Sequence, residues 1–392
     1  MKTALIAPRP LDTLDLPDEL DGRTGVNRAT GRRQISADDD LAAVRAWLAR
    51  VADTPTTFEN YRKEAERLLL WSLVQPGKPL SSLTHEDLLA YQRFLADPQP
   101  RGRWVAGGRK FPREDPRWRP FHGPLATSSQ RQAMVILNAL FSWLVGAGYL
   151  AGNPLSLSRQ RARRAAPRIT RFLERDLWQE VKVHIDSLPR ETDRERERER
   201  YWRARWLFTL LYLGGLRISE VSGNTMGRFF CRRDADGHGR WWLDVPGKGD
   251  RERLVPASAE MMVELGRYRR ERGLPVLPAP HEDTPLVLPL GKSMKPLTRA
   301  ALHTIVKGIF AGAAGKLRLR GDEYVARAAQ LERASAHWPR HSAGSHMADG
   351  DVDLRLIRDN LGHASLTTTS LYLHADDDQR HRETEQKHRI AW

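Results

Sequence analysis

The sequence of 392 residues has a single cysteine, Cys231, and it has no apolar run that approaches the roughly 18 residues needed to cross a bilayer. One cysteine excludes an intramolecular disulfide framework and any zinc site built from several cysteines. The N-terminal stretch MKTALIAPRP contains too short an apolar run for a signal peptide. We therefore expect a cytoplasmic, nucleoid-associated protein with no membrane partner.

Acidic residues are too few to balance the basic ones, because 49 Asp and Glu stand against 64 Lys and Arg and the net charge is +15. The excess is spread along the chain, which indicates a polyanionic partner, and nucleic acid is the first candidate. Binding to a membrane surface is the competing interpretation of a basic chain. The length suits two domains, because a single core rarely grows beyond roughly 250 to 300 residues.

Composition and apolar periodicity divide the chain into four parts. Residues 1–37 mix acidic and basic pieces with proline and glycine, without an apolar period, which predicts a poorly ordered tail. Residues 38–155 contain four helical patterns and are predicted to form a helical N-terminal domain. Residues 156–171 read as a basic linker, and residues 172–392 as a second domain with a C-terminal tail.

The second domain is predicted to be mainly α with a small antiparallel sheet. Three short β-prone runs, near residues 229–231, 241–245 and 253–256, are separated by turn compositions. Lys248 lies at the tip of the second predicted hairpin, where a lysine is usually only solvated. In residues 191–205, glutamate and arginine alternate and nearly cancel, which indicates a solvated helix extension.

Residues 98–123 interleave basic with aromatic side chains between the third and fourth helical patterns. This mixture suits a phosphate backbone beside exposed or groove-facing bases, and a flexible solvated loop is an equally good interpretation. The basic linker is a second segment that can follow a DNA backbone. The candidate DNA-binding residues of both segments are Arg103, Arg109, Lys110, Arg117, Arg119, Arg161, Arg163 and Arg164.

The stretch 336–374 contains most of the candidate catalytic residues. Gly362 stands where a left-handed helix C-cap is expected, so His363 is held at a helix exit, and Tyr372 follows on a second short helix. His337 lies four residues before a second histidine, the spacing of a zinc pair. A metal site is not expected, because no glutamate follows His337, no third ligand is evident and a proline lies between the two histidines.

Six residues together form a set with one chemical meaning, although singly each could be a structural polar residue. Two arginines can clamp the non-bridging oxygens of a phosphodiester and stabilise charge at phosphorus. Histidines can donate to the same oxygens or assist proton transfer, a lysine can protonate the leaving alkoxide, and a tyrosine can attack the phosphate. No metal or other cofactor is then required. In chain order the set is Arg217, Lys248, His337, Arg340, His363 and Tyr372.

The motifs around these residues resemble, in order, the five catalytic boxes of the tyrosine recombinase (phage integrase) family. They are GLRISE at 215–220, GKGDRERLVP at 247–256, HWPRHSAGSHM at 337–347, LGH at 361–363 and TTTSLYLH at 367–374. Residues 128–155 resemble the last helix of the family's core-binding domain, so the resemblance covers about residues 38–378. The sequence departs from the family pattern at Trp338 and Pro339, and residues 98–123, 191–203 and 314–333 look like insertions.

The resemblance implies a helical, SAM-like core-binding domain and an integrase-type catalytic domain that clamp double-stranded DNA. It implies that Tyr372 forms a 3'-phosphotyrosyl intermediate and that the freed 5'-hydroxyl attacks a partner strand, within a homotetramer on two DNA sites. The expected function is site-specific recombination in integration, excision or resolution of a mobile element or replicon. The sequence does not distinguish these outcomes, and it does not indicate accessory DNA-bending factors.

Two other functions would use the same residues. A type IB topoisomerase-like enzyme would nick and reseal one strand, and a catalytically decayed scaffold would only bind DNA. The recombinase-like helical N-terminal domain argues against the first, and the filled catalytic positions argue against the second.

Overall fold

The computed structural model describes residues 8–108, 111–158, 171–246 and 252–363, together with Thr369. The described part is mainly helical with one small antiparallel sheet, which confirms the predicted fold class. The chain divides into two compact units, Met1–Arg163 and Arg164–Trp392. The division falls within the segment predicted to be a linker, most of which lies outside the described residues. None of the described helices combines the length and apolarity that a membrane crossing needs.

The helices of the N-terminal unit enclose one apolar core. They are α1 (Asp40–Ala49), α2 (Pro55–Val74), α3 (His85–Ala96), the short α4 (Arg101–Trp104) and α5 (Thr127–Gly146). Thr84 opens α3 with a capping box, in which its side chain and that of Asp87 satisfy each other's backbone amides. The apolar face predicted for the last helix is buried, as shown by Leu137, Leu140 and Leu144.

The prediction of a poorly ordered tail is wrong for residues 8–37, which pack on these helices. Leu11 is buried, and its amide donates to the Glu66 carboxylate over 2.7 Å. Gly22 turns the segment at a φ of +86°, and a Cβ there would collide with the buried carboxylate of Asp40. The sequence pattern missed this packing because the anchors are single residues at irregular spacing, which leaves no apolar period.

The insertion 98–123 is also docked on the N-terminal unit. Trp104 and Phe121 are fully buried, and both lie edge-to-face with Phe94, with ring centroids 5.0 and 5.8 Å away. These two aromatic rings therefore belong to the core and cannot stack on nucleic-acid bases. The basic residues between them hid this role, because alternating Arg and Trp gives no helical or strand period.

The second unit contains eight described helices and three strands. They are α6 (Arg175–Asp186), α7 (Glu195–Tyr212), α8 (Ile218–Ser222), β1 (Phe229–Arg233), β2 (Gly239–Val245), β3 (Arg253–Ala257), α9 (Ala259–Glu271), α10 (Arg299–Arg318), α11 (Val325–Arg333), α12 (Trp338–Ala348) and α13 (Leu354–Leu361). The strands pair antiparallel in the order β1-β2-β3, with Leu243 opposite both Phe229 and Val255. These three side chains are buried, so one face of the sheet covers the core that α7 crosses.

The charged start of α7 is less solvated than its sequence predicts. Glu199 is buried, where its carboxylate pairs with Arg272 and accepts from the amide of Gly291 over 2.7 Å. Tyr201 is 1 % exposed, and Arg205 pairs with a glutamate of α9 over 2.6 Å. The alternating charges therefore anchor α7 to α9, through partners too far along the chain for local spacing to reveal.

Candidate active site

Arg217 lies where the chain leaves the buried helix α7. Gly215 has a φ of +54°, and a Cβ there would lie 2.7 Å from a methyl of Leu361, so only glycine allows this close approach to α13. Glu220 accepts from the Arg217 amide at 2.7 Å and from its Nη1 at 2.8 Å. The Arg217 side chain is held by Glu220 yet remains 38 % exposed, so it can reach a substrate.

Arg340 joins two parts of the site from inside the protein. It lies in the first turn of α12 and is 3 % exposed. Its guanidinium donates to the carbonyl oxygen of Gly215 and to that of Leu361. A planar guanidinium bound to two fixed carbonyls has a defined orientation, so Arg340 holds the Arg217 turn beside the end of α13.

The two predicted catalytic histidines stand at opposite helix ends. His337 immediately precedes α12, in which Pro339 is in the first turn, where a missing backbone N–H costs nothing. His363 follows Gly362, whose φ of +58° confirms the predicted left-handed C-cap. The His363 Nδ1 lies 3.1 Å from the Thr369 hydroxyl. The Trp-Pro departure from the family pattern thus leaves a regular helix start between His337 and Arg340.

The electrostatics link four of the predicted residues into one site. Burial, followed by the charges of Arg340 and Arg217, lowers the pKa of His363 to about 4. The pKa of His337 is lowered in the same order, by burial and then by Arg340 and Arg217. Both imidazoles are therefore neutral at pH 7, and each can accept or donate one proton beside two permanent positive charges.

Sequence reasoning missed two members of this site, Glu220 and Arg253. Arg253 forms a bidentate pair with Glu220, at 2.9 and 2.8 Å, and its Nη1 also donates to the Leu361 carbonyl at 3.2 Å. Burial raises the pKa of Glu220, but Arg253 and Arg217 outweigh it and hold that pKa below its usual range. Glu220 had a local signal, the capping-box position three residues after Arg217. Arg253 had none, because its partner is 33 residues away.

The sequence is similar to those of several known proteins. Residues 185–379 match the phage integrase family. The tyrosine recombinase XerC of Corynebacterium efficiens is 30 % identical over 260 residues, which cover 65 % of this chain and 69 % of that protein. The chain belongs to the phage integrase family of tyrosine recombinases. XerC of Xylella fastidiosa is 26 % identical over 324 residues, covering 82 % of this recombinase and 86 % of the relative.

Solved structures show the same fold. The XerH site-specific recombinase bound to palindromic difH substrate has a TM-score of 0.58 at 18 % identity, covering 97 % of this chain and 98 % of that one. The Tn1549 transposon integrase in complex with a circular intermediate DNA has a TM-score of 0.56 at 16 % identity, covering 88 % and 98 %. The recombinase is thus an enzyme of the DNA strand-transferring type, built on an integrase-type catalytic domain.

Four of the six predicted catalytic residues lie together in the structure: Arg217, His337, Arg340 and His363. Lys248 and Tyr372 lie outside the described residues. The same holds for five of the predicted DNA-binding residues, namely Arg109, Lys110, Arg161, Arg163 and Arg164. Their assignments remain predictions.

The three described DNA-binding candidates differ in how much of each side chain is available. Arg119 donates to the carbonyls of Gly102, Pro116 and Trp118, so it stabilises the fold of the insertion. Arg117 pairs with Asp115 at 2.8 Å but is 67 % exposed. Arg103 is half-buried. Arg117 is therefore the member of this group best placed to meet a phosphate.

Within the described residues, one group of three side chains has the spacing of metal ligands: Asp234, Asp236 and His238 in the β1–β2 turn. Asp234 already accepts from the amides of Asp236 and His238, at 3.0 and 2.9 Å, and pairs with Arg240 at 2.7 Å. These bonds explain the turn as a local hydrogen-bonded structure. We assign no metal site to it.

Proposed function

We propose that this recombinase cuts and rejoins double-stranded DNA at specific sites, with Tyr372 as the nucleophile and Arg217 and Arg340 as the clamp on the phosphate. The observation that carries the proposal is the set of bonds from Arg340 to the carbonyls of Gly215 and Leu361. These bonds hold the Arg217 turn next to the helix end that precedes His363. Two arginines and two neutral imidazoles beside one another suit a phosphodiester that gains negative charge during reaction.

The proposed reaction exchanges one phosphate ester for another. The Tyr372 oxygen attacks phosphorus, the bond from phosphorus to the 5'-oxygen breaks, and a 3'-phosphotyrosyl ester forms. The phenol proton passes to a neutral imidazole, of His337 or His363, and Lys248 protonates the leaving 5'-oxygen. Attack by a 5'-hydroxyl of the partner strand then reverses these steps and releases the tyrosine. Arg217 and Arg340 stabilise the charge on the non-bridging oxygens in both directions.

Double-stranded DNA is the proposed partner, and nucleoid association follows from it. The net charge of +15 supports this choice, and related recombinases have been solved in complexes with DNA. The alternatives of a type IB topoisomerase or a decayed scaffold are not favoured. The XerC relative of Xylella fastidiosa matches 82 % of the chain, which is more than the second unit alone can supply.

The test is a comparison of strand exchange with relaxation on supercoiled DNA that carries two copies of a candidate site taken from the DNA flanking the gene. We expect exchange between two such sites, and we expect Arg217→Ala and Arg340→Ala to abolish it. Relaxation without exchange would support the topoisomerase instead. Binding with neither reaction would support the decayed scaffold.

We further propose that the enzyme works as a homotetramer on two DNA sites, assembled through the C-terminal segment that ends in Ile390, Ala391 and Trp392. Deletion of residues 379–392 should spare binding to one site and lower cooperative assembly. Full synapsis by the truncated protein would refute the proposal.

A further inference from the structure

Arg253 connects three segments of the active site through one side chain. It lies on β3, five residues after Lys248 in the chain, and its side chain is 13 % exposed. Its guanidinium holds both carboxylate oxygens of Glu220 and also the carbonyl of Leu361. Neither the reaction proposed above nor the choice of nucleophile uses this arginine directly.

The first connection leads from Arg253 to Arg217. The same two Glu220 oxygens that accept from Arg253 also accept from the Arg217 amide and its Nη1. A bidentate pair between a guanidinium and a carboxylate fixes the plane of both groups. Glu220 is 10 % exposed. Without Arg253, the Glu220 carboxylate would still accept from Arg217, but it would lose the bidentate pair that fixes the orientation of the carboxylate.

The second connection leads from Arg253 to His363. The last carbonyls of a helix have no partner within the helix, and here Arg253 and Arg340 together satisfy that of Leu361. Gly362 is constrained twice, by its φ of +58° and because a Cβ would lie 2.7 Å from the Arg253 Cδ. The position of the Arg253 guanidinium therefore defines the path of the backbone that leads to His363.

We infer that Arg253 is a positioning residue, which aligns Arg217 and His363 on the scissile phosphate through Glu220 and the Leu361 carbonyl. The inference rests on the proposed function, because it assigns Arg253 to the cleavage step of that reaction. Arg253 acts on the arginine–histidine side of the site and not through Lys248, although Lys248 is its near neighbour in the chain.

The test is single-turnover cleavage at saturating DNA, measured with DNA affinity for Arg253→Met and Arg253→Lys. We expect the cleavage rate to fall by about 10- to 100-fold in Arg253→Met, because a displacement of a catalytic group by about 1 Å can lower the rate by up to about 10²-fold. DNA affinity should stay within about twofold of wild type. Arg253→Lys keeps the charge but loses the bidentate fork, so it should recover only part of the rate. The double variant with Glu220→Gln should lose clearly less than the product of the two single losses, because both changes break the bond between Arg253 and Glu220.

Arg228→Met is the matched control, because Arg228 pairs with Asp244 on β2 at 2.6 Å and lies outside the described active site. A loss of cleavage in this control as large as in Arg253→Met would overturn the inference, as would independent, additive losses in the double variant. Thermal melting of each variant is measured alongside. If Arg253→Met is unfolded at the assay temperature, Arg253→Lys decides, and wild-type cleavage by a folded Arg253→Lys would also overturn the inference.

A substrate with sulfur at the 5'-bridging position separates the two sides of the active site. Its leaving group needs no proton, so it should restore cleavage to Lys248→Ala but do little for Arg253→Met or Arg217→Ala. Restoration in Arg253→Met would show that Arg253 acts through the Lys248 hairpin, and the inference would be wrong. Failure of the wild-type protein to cleave either substrate would instead refute the proposed function, so the two failures are distinct.

Discussion

The two arginines proposed to clamp the phosphate occupy opposite environments. Arg217 is 38 % exposed and is oriented by Glu220, whereas Arg340 is buried and bound to two backbone carbonyls. A buried arginine that supports the backbone contributes to stability in addition to its proposed role in catalysis. The two substitutions should therefore have different consequences for folding.

Arg340→Ala should reduce the free energy of unfolding as well as abolish cleavage. The change removes the donor to the buried carbonyl of Gly215, which costs about 1 to 3 kcal/mol, while the Leu361 carbonyl keeps its bond from Arg253. Arg318→Ala breaks a surface pair with Glu332 and should cost about 0 to 1 kcal/mol. Urea unfolding measures both, and equal losses in the two variants would contradict the structural role of Arg340.

His341 should make the stability of the catalytic unit depend on pH. Burial, then the charges of His337 and Arg340, lowers its pKa to about 4, whereas a histidine in the unfolded chain titrates near about 6.5. Between these values the unfolded state binds a proton that the folded state does not, so stability is lost as the pH falls through this window. His341→Gln should therefore lose stability less steeply between pH 7 and 5, and parallel curves for variant and wild type would disprove this.

The sequence identified four of the residues that lie together in the candidate site, but it did not identify the residues that hold them in place. Arg217, His337, Arg340 and His363 were recognisable because their side-chain chemistry and order have one common use. Arg253 was not recognisable, because its contacts join a strand to a helix end and a distant glutamate, which only the folded chain brings together.

Helices and strands were predictable where capping or turn residues mark their ends. The glycine after α13 and the turn compositions between β1, β2 and β3 were sufficient for the helix end and for the sheet. Residues 8–37 and the insertion 98–123 were not, because their anchors are isolated side chains such as Leu11 and Trp104. Whether such a side chain is buried depends on the shape of the core formed by the helices, and this shape cannot be read from a periodic sequence pattern.

The insertion 98–123 offers two arginines with opposite expected effects. Arg117→Ala should weaken DNA binding and lower the slope of log K against log salt by about one, because this side chain is 67 % exposed and we expect it to contact one phosphate. Arg113→Ala should leave that slope unchanged and lower the stability of the N-terminal unit by about 1 to 3 kcal/mol, because Arg113 pairs with the buried Glu66.

Fluorescence anisotropy across a salt series and urea unfolding measure these two effects. An unchanged slope in Arg117→Ala would mean that the insertion serves only the fold of the N-terminal unit. If Arg113→Ala loses stability and also changes the slope of log K against log salt, a similar change in Arg117→Ala would reflect folding and not a lost DNA contact.

For the whole molecule, the sequence was sufficient to predict two units, the basic charge and the family. The order of the motifs carries this information, since the boxes follow one another along the chain, and the first, third and fourth lie at the described helices α8, α12 and α13. The assembly of several copies on DNA depends on surfaces that no motif marks, so it requires the assays of binding and synapsis described above.

The most direct test of the account is the identity of the residue that becomes linked to DNA. Wild-type protein is trapped on a nicked site, the DNA is digested, and the modified peptide is identified by mass spectrometry, with Tyr372→Phe as the control that still binds DNA. We predict a nucleotide attached through its 3'-phosphate to Tyr372 and no adduct in Tyr372→Phe. An adduct on Tyr324 or another residue, or an adduct that persists in Tyr372→Phe, would contradict the account.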